Sequence, residues 1–158
     1  MSQNTRVLII VADGAHARFV RPADNGALHT VNAIDSAAAH KRSSDLGSDH
    51  PGAAMHSQST AHHAMAPRHD PHALAEAEFA RFVADEVNAI VAEGGTDHLL
   101  LAAPPRTLNA IRDHLSQQAA SALAGTVGKD LVKTPDHELQ PHLRQWLNLL
   151  LRYPTHEA

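Results

Sequence analysis

Val7-Leu8-Ile9-Ile10-Val11-Ala12 is six apolar residues in a row, four of them β-branched. A half-buried strand would alternate apolar with polar residues. An unbroken run of this length reads as a strand covered on both faces, and therefore central in its sheet. Working outward, Asp13-Gly14 is a turn signal, and Ala17 to Arg21 can form a second strand. Asp24-Asn25-Gly26 marks another turn, and Leu28, Val31 and Ile34 mark a third, less regular strand. Short connections between three such strands imply an antiparallel meander.

The second half of the chain alternates helix and strand patterns. Asp70-Pro71 begins a helix, with Asp70 as N-cap and Pro71 in the first position. Leu74, Ala75, Phe79, Phe82, Val83, Val87, Ile90 and Val91 share one face of it, and Gly94-Gly95 ends it. His98 to Ala103 is a second doubly buried strand, closed by Pro104-Pro105. Leu108, Ile111 and Leu115 mark a helix, followed by a short Ala-rich segment ending at Gly125. Val127 to Val132 reads as the last strand. Thr134-Pro135 caps a final helix with Leu139, Leu143, Trp146, Leu147 and Leu150 on its apolar face. The expected class is α/β: a five-stranded mixed sheet, an antiparallel three-strand meander plus two parallel strands, with helices on its faces. Right-handed crossovers join the parallel strands. The ribonuclease H-like arrangement has this order of elements.

The 158 residues suit a single domain, long enough to bury roughly 68–70% of the unfolded surface. Aromatic residues are scarce, so the core is built from Val, Leu, Ile and Ala. The net charge of −4 gives no global field favouring nucleic acid, although local basic patches are compatible with it. The absence of cysteine rules out disulfides, thiolate metal sites and a cysteine nucleophile, and fits a reducing cytoplasm. The N-terminal apolar run is too short for a signal-peptide core, and no run approaches a membrane span. A cytoplasmic protein with no membrane association is expected.

Residues 35–72 break the pattern. They are rich in Ser, Ala, Gly and Asp, and hold seven of the fourteen histidines: His40, His50, His56, His62, His63, His69 and His72. Connections in compact domains usually run about 4–6 residues, so a stretch of this length is expected to be a functional or weakly ordered loop. Neutral imidazole is a common metal ligand, and His62, His63, His69 and His72 are the metal-ligand candidates. Their spacing matches neither a zinc finger nor the His-Glu-x-x-His helix. Adventitious affinity for a divalent metal is the plainer expectation, and no small-molecule cofactor is expected. Lys41, Arg42 and Arg68 are cations that this loop could bring to phosphates.

Ligands in open α/β sheets gather at the carboxyl ends of the parallel strands. That edge would hold Asp13, Arg106 and Lys133, with two helix N-termini to receive an anion. The plain alternative makes Asp13 a turn residue and the two cations solvated surface. A two-metal nuclease needs several converging carboxylates, and only Asp13 is well placed. No phosphate-binding Gly pattern and no Gly-x-Ser-x-Gly elbow occurs.

Several short pieces carry a resemblance. Val11-Ala12-Asp13-Gly14-Ala15-His16-Ala17-Arg18-Phe19, Leu101-Ala102-Ala103-Pro104-Pro105-x-x-Leu108, Lys129-Asp130-Leu131 and Glu138-Leu139-x-x-His142-Leu143 resemble the bacterial host-attachment protein family. On this resemblance Arg18 joins the binding candidates. The family is similar in turn to the middle domain of archaeo-eukaryotic peptide-chain release factors, which has a ribonuclease H-like fold. There, a Gly-Gly-Gln loop between the third strand and a long helix reaches the ribosomal peptidyl-transferase centre. The long loop here holds the same topological slot without Gly-Gly-Gln.

The resemblance implies a non-enzymatic binding protein that contacts a ribosome or another RNA-containing partner through the long loop. One alternative is a metal-dependent hydrolase using the loop histidines and Asp13. Another is a structural or attachment-related interaction protein. The third strand, if exposed at the sheet edge, could also pair with a second copy to give a homo-oligomer.

Overall fold

The computed structural model describes residues 5–47 and 71–151, and side chains from 42 to 47 are not part of that description. Strands β1 (Val7–Ala12), β2 (His16–Pro22) and β3 (Leu28–Asp35) form the meander. Helix α1 (Ser36–Gly47) follows, and α2 (Pro71–Glu93) leads into β4 (His98–Ala102). Helices α3 (Pro105–Asp113) and α4 (Gln117–Ala122), strand β5 (Leu123–Val127) and helix α5 (Asp136–Leu151) complete the chain. The sheet order is β3-β2-β1-β4-β5. β1 is antiparallel to β2, with Ile9 opposite Val20, and parallel to β4, with Ile9 opposite Leu100. The α/β class and the central position of β1 beside β4 are as the sequence implies, and the ribonuclease H-like arrangement fits.

All six residues of β1 are buried. The pleat sends Leu8, Ile10 and Ala12 to one core, where they meet Phe79, Val83 and Val87 of α2 and Leu108 and Ile111 of α3. It sends Val7, Ile9 and Val11 to the other, beneath Leu139, Leu143 and Leu147 of α5. Double coverage is thus why no polar residue interrupts the run.

Three expectations need correction. The segment from residue 36, expected to be loop, begins with a twelve-residue helix. Asp35 starts α1 by accepting the Ala38 N–H at 2.8 Å, and the following Ala37-Ala38-Ala39 favours helix on intrinsic propensity alone. Polar composition hid that signal. The last strand is Leu123–Val127 rather than 127–132. Gly128, Lys129 and Asp130 instead leave the sheet, and Leu131 and Val132 plug the α5-side core. The Asp130 carboxylate accepts the Val132 N–H at 3.2 Å, so a local turn takes the backbone group that a ladder would have used. Third, Leu74 and Ala75 of the expected α2 face are exposed, because burial on α2 starts only at Phe79.

Gly125 explains why β5 escaped the sequence pattern. A Cβ there would lie 2.6 Å from the Trp146 indole ring. The glycine is not a strand terminator. It lets an indole from α5 lie against the backbone of the sheet.

Candidate functional site

The carboxyl ends of β1, β4 and β5 form one rim of the sheet, held together where the Ala103 N–H donates to the Val127 carbonyl at 3.0 Å. Two of the expected binding residues lie at this rim, Asp13 directly after β1 and Arg106 in the first turn of α3 after β4, while Lys133 stands six residues beyond the end of β5 and not directly after the strand as expected. Asp13 is the turn residue of the plain alternative. Its Oδ1 accepts the N–H groups of Ala15 at 2.8 Å and His16 at 2.7 Å, and His16 Nδ1 lies 3.5 Å away. Glu76 of α2 covers the same turn, its carboxyl group 2.8 Å from where a Gly14 Cβ would stand. The β1 part of the rim is therefore acidic.

The β4–β5 part is basic. Arg106 stands exposed in the first turn of α3 and Lys129 on the segment just after β5, while Lys133 stands exposed further along that segment, where it has crossed to Arg18 of β2. Among the described residues none of the three forms an ion pair. α3 starts at Pro104 with no side-chain cap and with Pro105 in its first turn. The post-β5 segment passes close by, since a Cβ on Gly128 would lie 3.7 Å from Pro105 Cγ.

Arg18 is used differently from its neighbours in the candidate set. Its side chain is only 16% exposed and points into the molecule. Nη1 donates to the carbonyls of Leu131 (3.3 Å), Val132 (2.6 Å) and Thr134 (2.7 Å), and Nη2 donates to Asp136 Oδ1 at 2.6 Å. Thr30 completes the network: its N–H and hydroxyl both donate to the Asp136 carboxylate, and Arg18 Nε donates to its hydroxyl. One guanidinium thus fastens β2, the post-β5 segment and the start of α5. Burial alone would raise the Asp136 carboxyl. The Thr30 hydrogen bonds, with the Arg18 hydrogen bond and charge, outweigh it and hold the group below the ordinary carboxylate value. Sequence reasoning missed Thr30 and Asp136 as partners because 106 residues separate them. No local spacing links them.

The remaining candidates do not gather on the rim. Lys41 is exposed on α1, Arg42 lies in the same helix, and His72 is exposed in the first turn of α2. Arg68, His62, His63 and His69 lie outside the described residues. Among the described residues no three His, Asp or Glu side chains come together closely enough to hold a metal ion. A separate groove of about 750 Å³ runs between α1 and α2, with Phe79 and Phe82 in it and Glu78, Asp85 and Glu86 along it.

The motifs that carry the sequence resemblance thus fall on β1–β2, the β4–α3 junction, the post-β5 segment and α5. A family model described as "Protein required for attachment to host cells" matches residues 8–143. The chain belongs to that family. No curated protein matches it significantly. The host-attachment match includes the five strands except Val7, the first residue of β1, and takes in Asp13, Arg106, Lys129 and Lys133. No helix among the described residues is long and apolar enough to cross a membrane.

Proposed function

We propose that this host-attachment family member is a non-enzymatic cytoplasmic binding protein that meets an RNA-containing partner, the ribosome foremost, through the carboxyl rim of its sheet. The observation that carries this reading is the pair of exposed cations Arg106, on the uncapped first turn of α3, and Lys129, on the segment that passes that turn at Gly128. Cations and helix N-termini are the groups that neutralise phosphates. The attraction is local, because the chain as a whole is acidic. The similarity to the release-factor middle domain that the sequence resemblance implies would support the same reading. In this chain residues 36–70 separate β3 from α2, the slot that delivers the catalytic loop in those factors. Gly-Gly-Gln is absent, so the reading includes binding and not peptidyl-tRNA hydrolysis.

The family description favours a second reading, an attachment-related interaction protein that works by contact with another protein at the cell surface. Two measurements separate them. Ribosome co-sedimentation at low and high salt should show binding that salt releases, as phosphate contacts require. Labelling of intact cells with a membrane-impermeant reagent should leave the protein unmodified. Surface labelling together with no co-sedimentation would reverse the choice.

A further inference from the structure

We propose that the first turn of α3 is a phosphate-binding seat, built from the backbone N–H groups of Arg106 and Thr107 and the Thr107 hydroxyl. This deepens the RNA reading and rests on it only for the source of the phosphate. The first-turn N–H groups of a helix have no intrahelical partner, and at α3 no side chain caps them. The first bond of the helix runs from the Leu108 N–H to the Pro104 carbonyl at 2.8 Å, one residue beyond Thr107. Pro105 has no N–H, so Arg106 and Thr107 are the donors that this end presents.

Thr107 is the independent observation. It is the buried polar residue among the described ones, 8% exposed, and its hydroxyl has no hydrogen-bond partner among them. Buried hydroxyls are normally paired, so an unpaired one calls for a ligand. A threonine could satisfy itself by bonding back to the carbonyl four residues earlier, here Ala103, but that bond is not made. Side chains on a helix lean toward its N-terminus. Thr107 is the third residue of α3 and so belongs to the same first turn as the two N–H groups.

The surroundings suit an anion. Arg106 is exposed on that turn, and Lys129 is exposed on the segment that passes Pro105 at Gly128. The nearby carboxylates are engaged elsewhere: Asp130 with the Val132 N–H, and Asp13 with its own turn. The chemical class is a phosphate group, whether a free phosphate or the phosphodiester of an RNA strand.

The test is an amide-resolved NMR titration of the full chain with inorganic phosphate, and separately with a short single-stranded oligoribonucleotide. The expected result is saturable shifts centred on Arg106 and Thr107. Thr107→Val keeps the side-chain shape, and should weaken phosphate binding roughly tenfold, the effect of one hydrogen bond to a charged group. Thr107→Ser should restore it. Shifts that never saturate, or that are equal in wild type and Thr107→Val, would overturn the seat. If phosphate binds as described and the oligoribonucleotide does not, the seat stands and the RNA reading falls. If the oligoribonucleotide binds without shifting these amides, RNA contacts another surface, and the seat stands or falls on the phosphate titration. Should Thr107→Val not fold, Lys129→Ala replaces it: an exposed side chain whose loss should weaken phosphate binding, with unchanged binding counting against the seat.

Discussion

Arg18 gives the clearest structural account of a single side chain in this protein. Its guanidinium makes charge-assisted bonds to three carbonyls and one carboxylate, all more than 110 residues away in sequence. Truncating it leaves those carbonyls without their donor and the Asp136 charge without its counter-ion, held by the two Thr30 hydrogen bonds alone. Arg18→Ala should therefore lower unfolding stability by about 2–4 kcal/mol, measured by urea denaturation. Lysine should recover little of that, because one ammonium cannot span the same fork of acceptors. Asp136 adds a pH dependence. Its carboxyl is held below the ordinary value in the folded state, so its contribution is present above that value and is lost as pH falls through the folded one. Wild type should lose stability on acidification below about pH 4. Asp136→Asn should flatten part of that loss. Asp97, lowered chiefly by the Arg6 main-chain N–H, keeps its share in the same window. A variant with the same acid profile as wild type would contradict the assignment.

Strands and helices were legible in unequal measure. β1 and β4 announced themselves because double burial forbids polar residues, and α2 and α5 because their apolar positions repeat at helical spacing. β5 was not legible: each of its residues is only partly buried, and its glycine answers to an indole 21 positions later in the chain. That contact is testable. Gly125→Ala should cost about 1–3 kcal/mol by overpacking against Trp146. Combining it with Trp146→Leu should cost less than the sum of the two changes, the sign of direct coupling. Strict additivity would show that the indole yields freely. α1 was hidden for another reason. Its start is a local capping event at Asp35, legible in principle, but the polar stretch around it outweighed three alanines. For β1, Ile9→Asp should prevent soluble folding, because the carboxylate would be buried without a partner. Normal thermal stability in that variant would contradict the central-strand placement.

Taken whole, the molecule divides its charge along the rim. Asp13 and Glu76 mark the β1 turn, Arg106 and Lys129 follow β4 and β5, and Lys133 lies toward β2, between the Val132 and Thr134 carbonyls that Arg18 binds. The sequence placed Asp13 and Arg106 on one edge because strand ends can be read from apolar runs, but it placed Lys133 there through a last strand at 127–132 that in fact ends at Val127. It could not distinguish Arg18, which faces inward, from the cations that face solvent. That distinction depends on where the post-β5 segment crosses β2. Nor could it show that Thr107, in the first turn of α3, is buried. The most direct test of the RNA reading is the salt dependence of ribosome binding by wild type and by the Arg106→Glu, Lys129→Glu double variant. Neither residue forms an ion pair among the described residues, so the fold should tolerate the change. Wild-type affinity should fall steeply with salt, and the double variant should bind more weakly with a logarithmic slope shallower by about one to two, one increment per lost phosphate contact. Equal affinity and equal slope for the two proteins would contradict contact through this rim.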